Sequence, residues 1–471
     1  MIKKILIQYI ILVGVLSAGL LGEQKKFVVR IQNPTDGLFH KYSSPEYDIA
    51  AFRPGEYLDL VVGQNLYNEI KNEGNAITIT QTESQLKQNL RGRDLDGYRN
   101  YNDLLEDLQV IESLYPDICK LYNIGNSRGK EYSEAGNPYY DEYNHEIWAM
   151  KVSDNVDEEE DEPSVFYMAE HHAREPISLE VNMYILNHLI SNYGSNQIIT
   201  DEINNKQIWF VPLVNPNGHK IVTDEVDLWW RKNIRDNNEN GSINFGGGDG
   251  VDPNRNYEWN WGGEGSSGNT NSETYRGPSA FSEPEIQAMG AMLESHHFVT
   301  GITYHSYSEL VLFPFGYANN IQAPDHDALQ ELANEMAYTI PAAGGGYYDP
   351  IPSWQLYPAS GTTDDYAYGE HGVFSFTIEL GTQFIPPASQ IEGICEDNLE
   401  AALILLKRSN YKTLTGHITD AETGDPVVAE IYIDGIDNTG EFRKPYESDL
   451  YFGRYYRLLQ DGTYDVTFSA P

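Results

Sequence analysis

Ser164-Val165-Phe166-Tyr167-Met168-Ala169-Glu170-His171-His172-Ala173-Arg174-Glu175 runs from an apolar, β-prone segment into a His-x-x-Glu, and Pro176 then opens a helical pattern. The order predicts a strand, a turn carrying metal ligands, and a helix. A neutral imidazole from His172 and the carboxylate of Glu175 are both zinc ligands, and their spacing lets them converge on one ion if the chain turns there. Arg174 adds a fixed positive charge between them. A single His-x-x-Glu arises often by chance, and the bland alternative is a polar loop at a strand end.

Three further strand runs decide between these readings. Ile208 to Val214 ends at Asn215-Pro216-Asn217-Gly218, Phe298 to Tyr304 ends at His305, and Val373 to Ile378 ends at Glu379. Helical patterns alternate with them from Tyr98 to about Asn410. That texture predicts an α/β fold with a mixed, mostly parallel sheet flanked by helices. Ligands sit beyond the carboxyl ends of strands in such sheets. Chance would scatter histidines and acids along the strands, whereas here they gather at the ends, which favours zinc on His172, Glu175 and His305.

With 471 residues the chain exceeds one ordinary domain. Its formal charge of -40 argues against a nucleic-acid or anionic-membrane partner, since both would repel such a surface. Part of the excess is the run Asp157 to Glu162, read as a solvated loop or a weak cation site; calcium is conceivable, but no motif fixes it. Lys3 and Lys4 precede an apolar stretch with small residues at its end, which predicts a signal peptide over 1–22 and a secreted, extracellular or periplasmic protein. No stable membrane insertion is expected once it is removed. Cys119 and Cys395 are the only cysteines, and whether they pair is left open. Residues 23–92 show short β-like runs and a helical stretch without a chemical motif, as expected of a small α+β pro-region or accessory domain. Arg91 to Gly97 suits a boundary or a processing site. From 413 to 471 alternating strands with turn residues predict a small β-sandwich, expected to be truncated if a complete sandwich needs more strands than remain.

By its ordered motifs the stretch from Tyr98 to Asn410 resembles the zinc metallocarboxypeptidases of the carboxypeptidase A/B/T type. The motifs stand as His172-Ala173-Arg174-Glu175, Asn215-Pro216-Asn217-Gly218, Trp230-Arg231-Lys232, Asn254-Arg255-Asn256, His305-Ser306-Tyr307, Tyr357-Pro358-Ala359-Ser360-Gly361 and Phe376-Thr377-Ile378-Glu379. The resemblance implies a catalytic domain over 97–410 and one zinc ion held by two histidines and a glutamate. The segment 413–471 is similar to the carboxypeptidase regulatory-like, transthyretin-type domain.

Residue roles follow from this resemblance together with residue chemistry. Glu379 is expected as general base and Arg231 as the cation facing the developing oxyanion, with Arg235 as a fallback because Ile234 disturbs the spacing. Asn254, Arg255 and Tyr357 are expected to hold the substrate's terminal carboxylate, Arg174 to bind substrate, and Asp252 to orient the His172 ring. The position of Asp364 implies the floor of the pocket for the terminal side chain, where an acid favours Lys or Arg. Asp365 competes for that place, and Thr362 stands where many relatives have a glycine, so a broad or hydrophobic preference stays open. The implied function is removal of single C-terminal residues from peptides or proteins by a monomer. The rivals are a zinc amidase or deacylase acting on acylated amino acids or cell-wall peptides, which would lack Arg255 or Tyr357, and a non-catalytic peptide-binding protein, which would lack a ligand or the base.

Overall fold

The computed structural model describes residues 26–91, 97–246 and 248–470. The expected signal peptide and most of the Arg91 to Gly97 boundary lie outside the described residues.

An N-terminal unit comes first. Its strands β1 (Phe27–Gln32), β2 (Asp48–Arg53), β3 (Tyr57–Val62) and β4 (Ile77–Thr82) pair antiparallel in the order β2-β3-β1-β4. The helix Glu83–Leu90 starts at a capping box in which Thr82 and Gln85 satisfy each other's backbone N–H groups. β3 is buried along its whole length. Val29, Leu58 and Leu60 share an apolar cluster with Leu310, Leu312 and Leu356 further along the chain, so this unit is docked on the next one through a common core.

The central domain is built on an eight-stranded sheet. Its strands are β5 (Cys119–Asn126), β6 (Glu146–Val152), β7 (Ser164–Ala169), β8 (Gln207–Val211), β9 (Phe298–His305), β10 (Leu310–Phe313), β11 (Asp349–Pro352) and β12 (Phe374–Glu379), in the order β11-β10-β12-β9-β7-β8-β6-β5. The central β12, β9, β7 and β8 are parallel, and the sheet is mixed because β5, β6 and the β10–β12 pair are antiparallel. The central strands are buried on both faces, which is why they read as continuous apolar runs. Successive residues of β7 serve opposite layers. Val165, Tyr167 and Ala169 join the core under the helices Ile177–Asn192 and Ala388–Arg408, and Phe166 and Met168 join the core under Pro284–Ser295. Cys119 and Cys395 are both free and buried.

Beyond the Ala388–Arg408 helix, β13 (Thr413–His417) pairs with β15 (Arg454–Leu458), and β14 (Glu430–Ile433) with β16 (Val466–Ser469). These are two separate two-stranded sheets around Ile431, Tyr446 and Tyr455. Such a small core gains stability from packing on the central domain. Among the described residues no helix is long and apolar enough to cross a membrane.

Candidate active site

The carboxyl ends of β7, β9 and β12 open on one edge of the sheet. His305 ends β9 and Glu379 ends β12, and the two are partners in register. The chain leaving β7 turns at Glu170, whose φ of 56° lies in the left-handed region. That costs an L-residue about 1–2 kcal/mol. Two bonds hold the turn: the Glu170 N–H donates to Ser178 Oγ at 3.1 Å, and Ser178 Oγ donates to the Glu175 carbonyl at 2.7 Å. His172 and Glu175 are thereby carried to His305. Nδ1 of His172 lies 2.9 Å from Glu175 Oε1, Nδ1 of His305 lies 2.9 Å from Glu175 Oε2, and the two Nδ1 atoms are 3.1 Å apart. One ligand atom from each residue lies within 4.8 Å of the others, and all three residues are buried.

A buried convergence of electron pairs fits a cation. Burial acts to raise the Glu175 carboxyl, but His172 and His305 override it and hold the group ionised below the ordinary range. The donor set, two imidazoles and one carboxylate, is that of catalytic zinc sites with an open position. His172, Glu175 and His305 could together hold one such ion.

The surroundings fix these ligands. Asp252 sits with Oδ1 3.1 Å from His172 Nε2, and its Oδ2 accepts from Arg231 Nε and Nη2 at 3.1 and 2.9 Å. Burial opposes ionisation of Asp252, yet Arg231 first and His172 next keep it well below the usual carboxylate range. Arg231 is thus held beside the ligands, with Nη1 3.8 Å from Glu175 Oε1. Arg235 points elsewhere and donates to Glu283 at 3.0 Å. Asn215 staples the ligand loop, donating from Nδ2 to the carbonyls of His171 and Lys232, both at 3.1 Å. Gly218 caps that staple: a Cβ there would lie 2.5 Å from Asn215 Nδ2 and 2.6 Å from the Lys232 carbonyl oxygen.

A second group of residues adjoins the cluster through Arg231. Arg255 is anchored by donating to the carbonyls of Gly265 and Asn254 at 3.1 and 2.6 Å, and Asn254 Oδ1 accepts from the backbone N–H and hydroxyl of Thr363 at 2.9 and 3.0 Å. Tyr357 lines one cavity with Arg231 and Arg255. Burial raises the phenol, with the two arginines opposing, so Tyr357 stays a neutral donor. Burial first and the negative charge of Glu175 next raise the Glu379 carboxyl, with Asp364 adding to the effect; a cation held by Glu175 would offset the second cause and favour the ionised base. Asp365 is turned away, accepting the Gly316 N–H on both oxygens at 2.8 and 3.0 Å. Asp364 accepts from Ser353 Oγ at 2.8 Å.

Some neighbours carried no sequence signal. His171 is buried, with Nε2 2.8 Å from Tyr257 Oη and 3.0 Å from Thr363 Oγ1, and it stacks on His305. The doubled histidine was the one hint. Asp48 lies in a stretch without a motif, yet it accepts from both terminal nitrogens of Arg174. The expected substrate-binding arginine is therefore occupied by the N-terminal unit. Pro45, Tyr47 and Asp48 leave beside Arg231, Arg255 and Tyr357 a cavity of about 30 Å³, the room of a water molecule.

A family model described as zinc carboxypeptidase (peptidase M14) matches residues 104–401. Carboxypeptidase A2 of Rattus norvegicus is 33% identical over 333 residues, 69% of this chain and 72% of its own length. Zinc carboxypeptidase A 1 of Anopheles gambiae is 34% identical over 261 residues, 53% of this chain and 58% of its own length. The crystal structure of carboxypeptidase A from Helicoverpa armigera superposes with a TM-score of 0.69 at 22% identity, covering 82% of this chain and 97% of that one, a likeness of fold.

Proposed function

The chain belongs to the zinc carboxypeptidase family, and from that premise we propose that it removes single C-terminal residues from peptides with a preference for Lys or Arg, using Glu379 as general base. The observation that carries this is the adjacency of two groups through Arg231. Arg231, with Nη1 3.8 Å from Glu175 Oε1 in the His172, Glu175 and His305 cluster, also lines a cavity with Arg255 and Tyr357, so a cation site and a grip for a free carboxylate adjoin. An endopeptidase, whose substrates present no free carboxylate at the scissile residue, has no need of the second group.

Bound zinc supplies Lewis acidity and lowers the pKa of water towards neutrality. The chain's own residues do the rest. Glu379, at the end of β12, takes the proton of the attacking water and passes it to the leaving amine. The Arg231 guanidinium, fixed by Asp252, faces the oxygen on which negative charge develops. Asp252 also holds the His172 ring in one tautomer. The planar fork of Arg255 and the Asn254 amide grip the terminal carboxylate, and the Tyr357 hydroxyl donates to it. Asp364 supports the basic preference because among the described residues its one side-chain partner is Ser353, which leaves lone pairs for a basic group, while Asp365 is committed to Gly316.

Residues 26–91 act in this reading as a pro-region, because Asp48 and its neighbours fill the space a peptide needs. Secretion through the 1–22 signal belongs to the same reading. The test is hydrolysis of blocked dipeptides ending in Arg, Lys, Phe, Leu and Glu by the full chain before and after nicking between 91 and 97, with and without a zinc chelator. Expected is release after nicking that stops with chelator, returns with zinc, and is fastest for Arg and Lys. Absence of release from every peptide after nicking overturns the proposal.

A further inference from the structure

Asp325 carries a buried ion cluster at the joint between the central domain and the C-terminal unit. Its Oδ2 accepts from Arg443 Nε at 3.2 Å and its Oδ1 from Arg457 Nη2 at 3.1 Å. Both arginines also reach Asp437, so two cations and two anions balance. Asp325, Arg443 and Arg457 are at most 6% exposed. The fifth member belongs to neither pair: Tyr368, fully buried, donates its hydroxyl to Asp325 Oδ2 at 2.8 Å.

Tyr368 lies on the helix Thr363–His371, whose first turn holds Thr363, Asp364 and Asp365. The C-terminal unit grips this helix at other points too. Lys444 donates its N–H to the Gly369 carbonyl at 2.8 Å and pairs with Glu370. Phe442 lies over Trp259, with ring centroids 6.4 Å apart and planes within 14°, and Trp259 stacks in turn on Phe315. Trp259 packs so closely on the helix that a Cβ on Gly369 would come within 2.3 Å of its ring. The Trp259 carbonyl accepts the Gly361 N–H at 3.2 Å, just before the helix begins.

We propose that the C-terminal unit is a positioning element for the side-chain pocket: through Arg443, Arg457 and Lys444 it fixes the Thr363–His371 helix and so the place of Asp364. This rests on the proposed pocket role of Asp364. A central domain without these contacts keeps its sheet and its metal ligands, which stand on β9 and the β7 turn. It loses the brace on the far end of the one helix that carries the pocket acid and the Thr363 groups that orient Asn254. Displacement of a substrate-contacting group by about 1 Å costs up to about 100-fold in rate. Discrimination between terminal side chains is therefore the property this unit governs.

The test uses the full chain with Arg443→Gln, and with Tyr368→Phe, which removes one hydroxyl and keeps the ring packing. Hydrogen–deuterium exchange of the intact chain reads the helix directly. Amides of 363–371 are expected to exchange at least 10-fold faster in both variants, with 298–305 unchanged. In the nicked chain the ratio of kcat/KM between the best and worst terminal residues is expected to fall at least 5-fold, mainly through KM, with one zinc retained per chain. Unchanged exchange over 363–371 with all substrates slowed equally overturns the proposal, since the cluster would then only hold two units together. If Arg443→Gln fails to fold, Tyr368→Phe decides alone. If the wild-type chain hydrolyses no peptide, the pocket role of Asp364 fails, and the bracing stands or falls on the exchange.

Discussion

Asp48 of the N-terminal unit and Arg174 of the ligand loop are joined by two parallel hydrogen bonds of 2.6 and 2.7 Å, and Arg174 is covalently next to Glu175. The guanidinium also lies over the Phe384 ring, 4.4 Å from its centroid, so it is fully enclosed. A pair of this kind contributes orientation as much as energy, because the fork accepts a carboxylate in one plane only.

Breaking the pair should loosen the N-terminal unit. Truncating one partner of a buried charged pair costs about 2–5 kcal/mol. Asp48→Ala in the un-nicked chain is expected to raise peptide hydrolysis at least 10-fold over the un-nicked wild type, and to leave the nicked enzyme within about 2-fold of wild type. Equal activity of the two un-nicked proteins would show that Asp48 does not hold the unit in place.

Glu379→Gln keeps the volume of the side chain and removes its capacity to take a proton. General-base loss is typically 10²–10⁴-fold, so kcat is expected to fall about 10³-fold. Zinc content by atomic spectroscopy should stay at one per chain and KM within a few-fold. A variant that retains a tenth of the wild-type kcat removes Glu379 from proton transfer.

Asp364→Leu replaces the charge proposed for the side-chain pocket with a methyl-bearing chain of similar size. The prediction is a fall of about 100-fold in kcat/KM for peptides ending in Arg, with a gain for Leu and Phe. Measured selectivity that does not move would assign the terminal side chain to another part of the cavity.

Glu285 supplies a pH dependence away from the metal ligands. Burial first and Glu283 next push its carboxyl up to about 7, against an ordinary 4.5. The folded chain therefore holds this proton where the unfolded chain has lost it. The associated stability is complete below pH about 4.5, falls as pH rises towards 7, and is gone above; the full span is about 3 kcal/mol. Glu285→Gln removes the titration. Its melting temperature relative to wild type should rise by a few degrees between pH 5 and pH 8, and a constant difference across that range would refute the assignment.

What the chain displays in one dimension and what it hides divide on physical lines. The strand ends were legible because parallel strands buried on both faces read as continuous apolar runs, and a polar ligand can stand only where the run stops. His172, Glu175, His305 and Glu379 occupy those stops. Asp364 and Asp365 could not be ordered from sequence, since adjacent helical residues differ only in direction, and packing against Gly316 claimed the second. Arg231 and Arg235 were likewise separated by their partners, Asp252 and Glu283.

The sequence by itself determined the mixed sheet and which residues, His172, Glu175, His305 and Glu379, gather at its strand ends as the proposed ligands and base, because residue chemistry and local periodicity are properties of short stretches. Only the tertiary structure decided that Asp48 closes on Arg174 and that Arg443 and Arg457 close on Asp325. These pairs span more than a hundred residues and have no period or spacing. They exist because docking two surfaces leaves buried charges that must find an opposite partner.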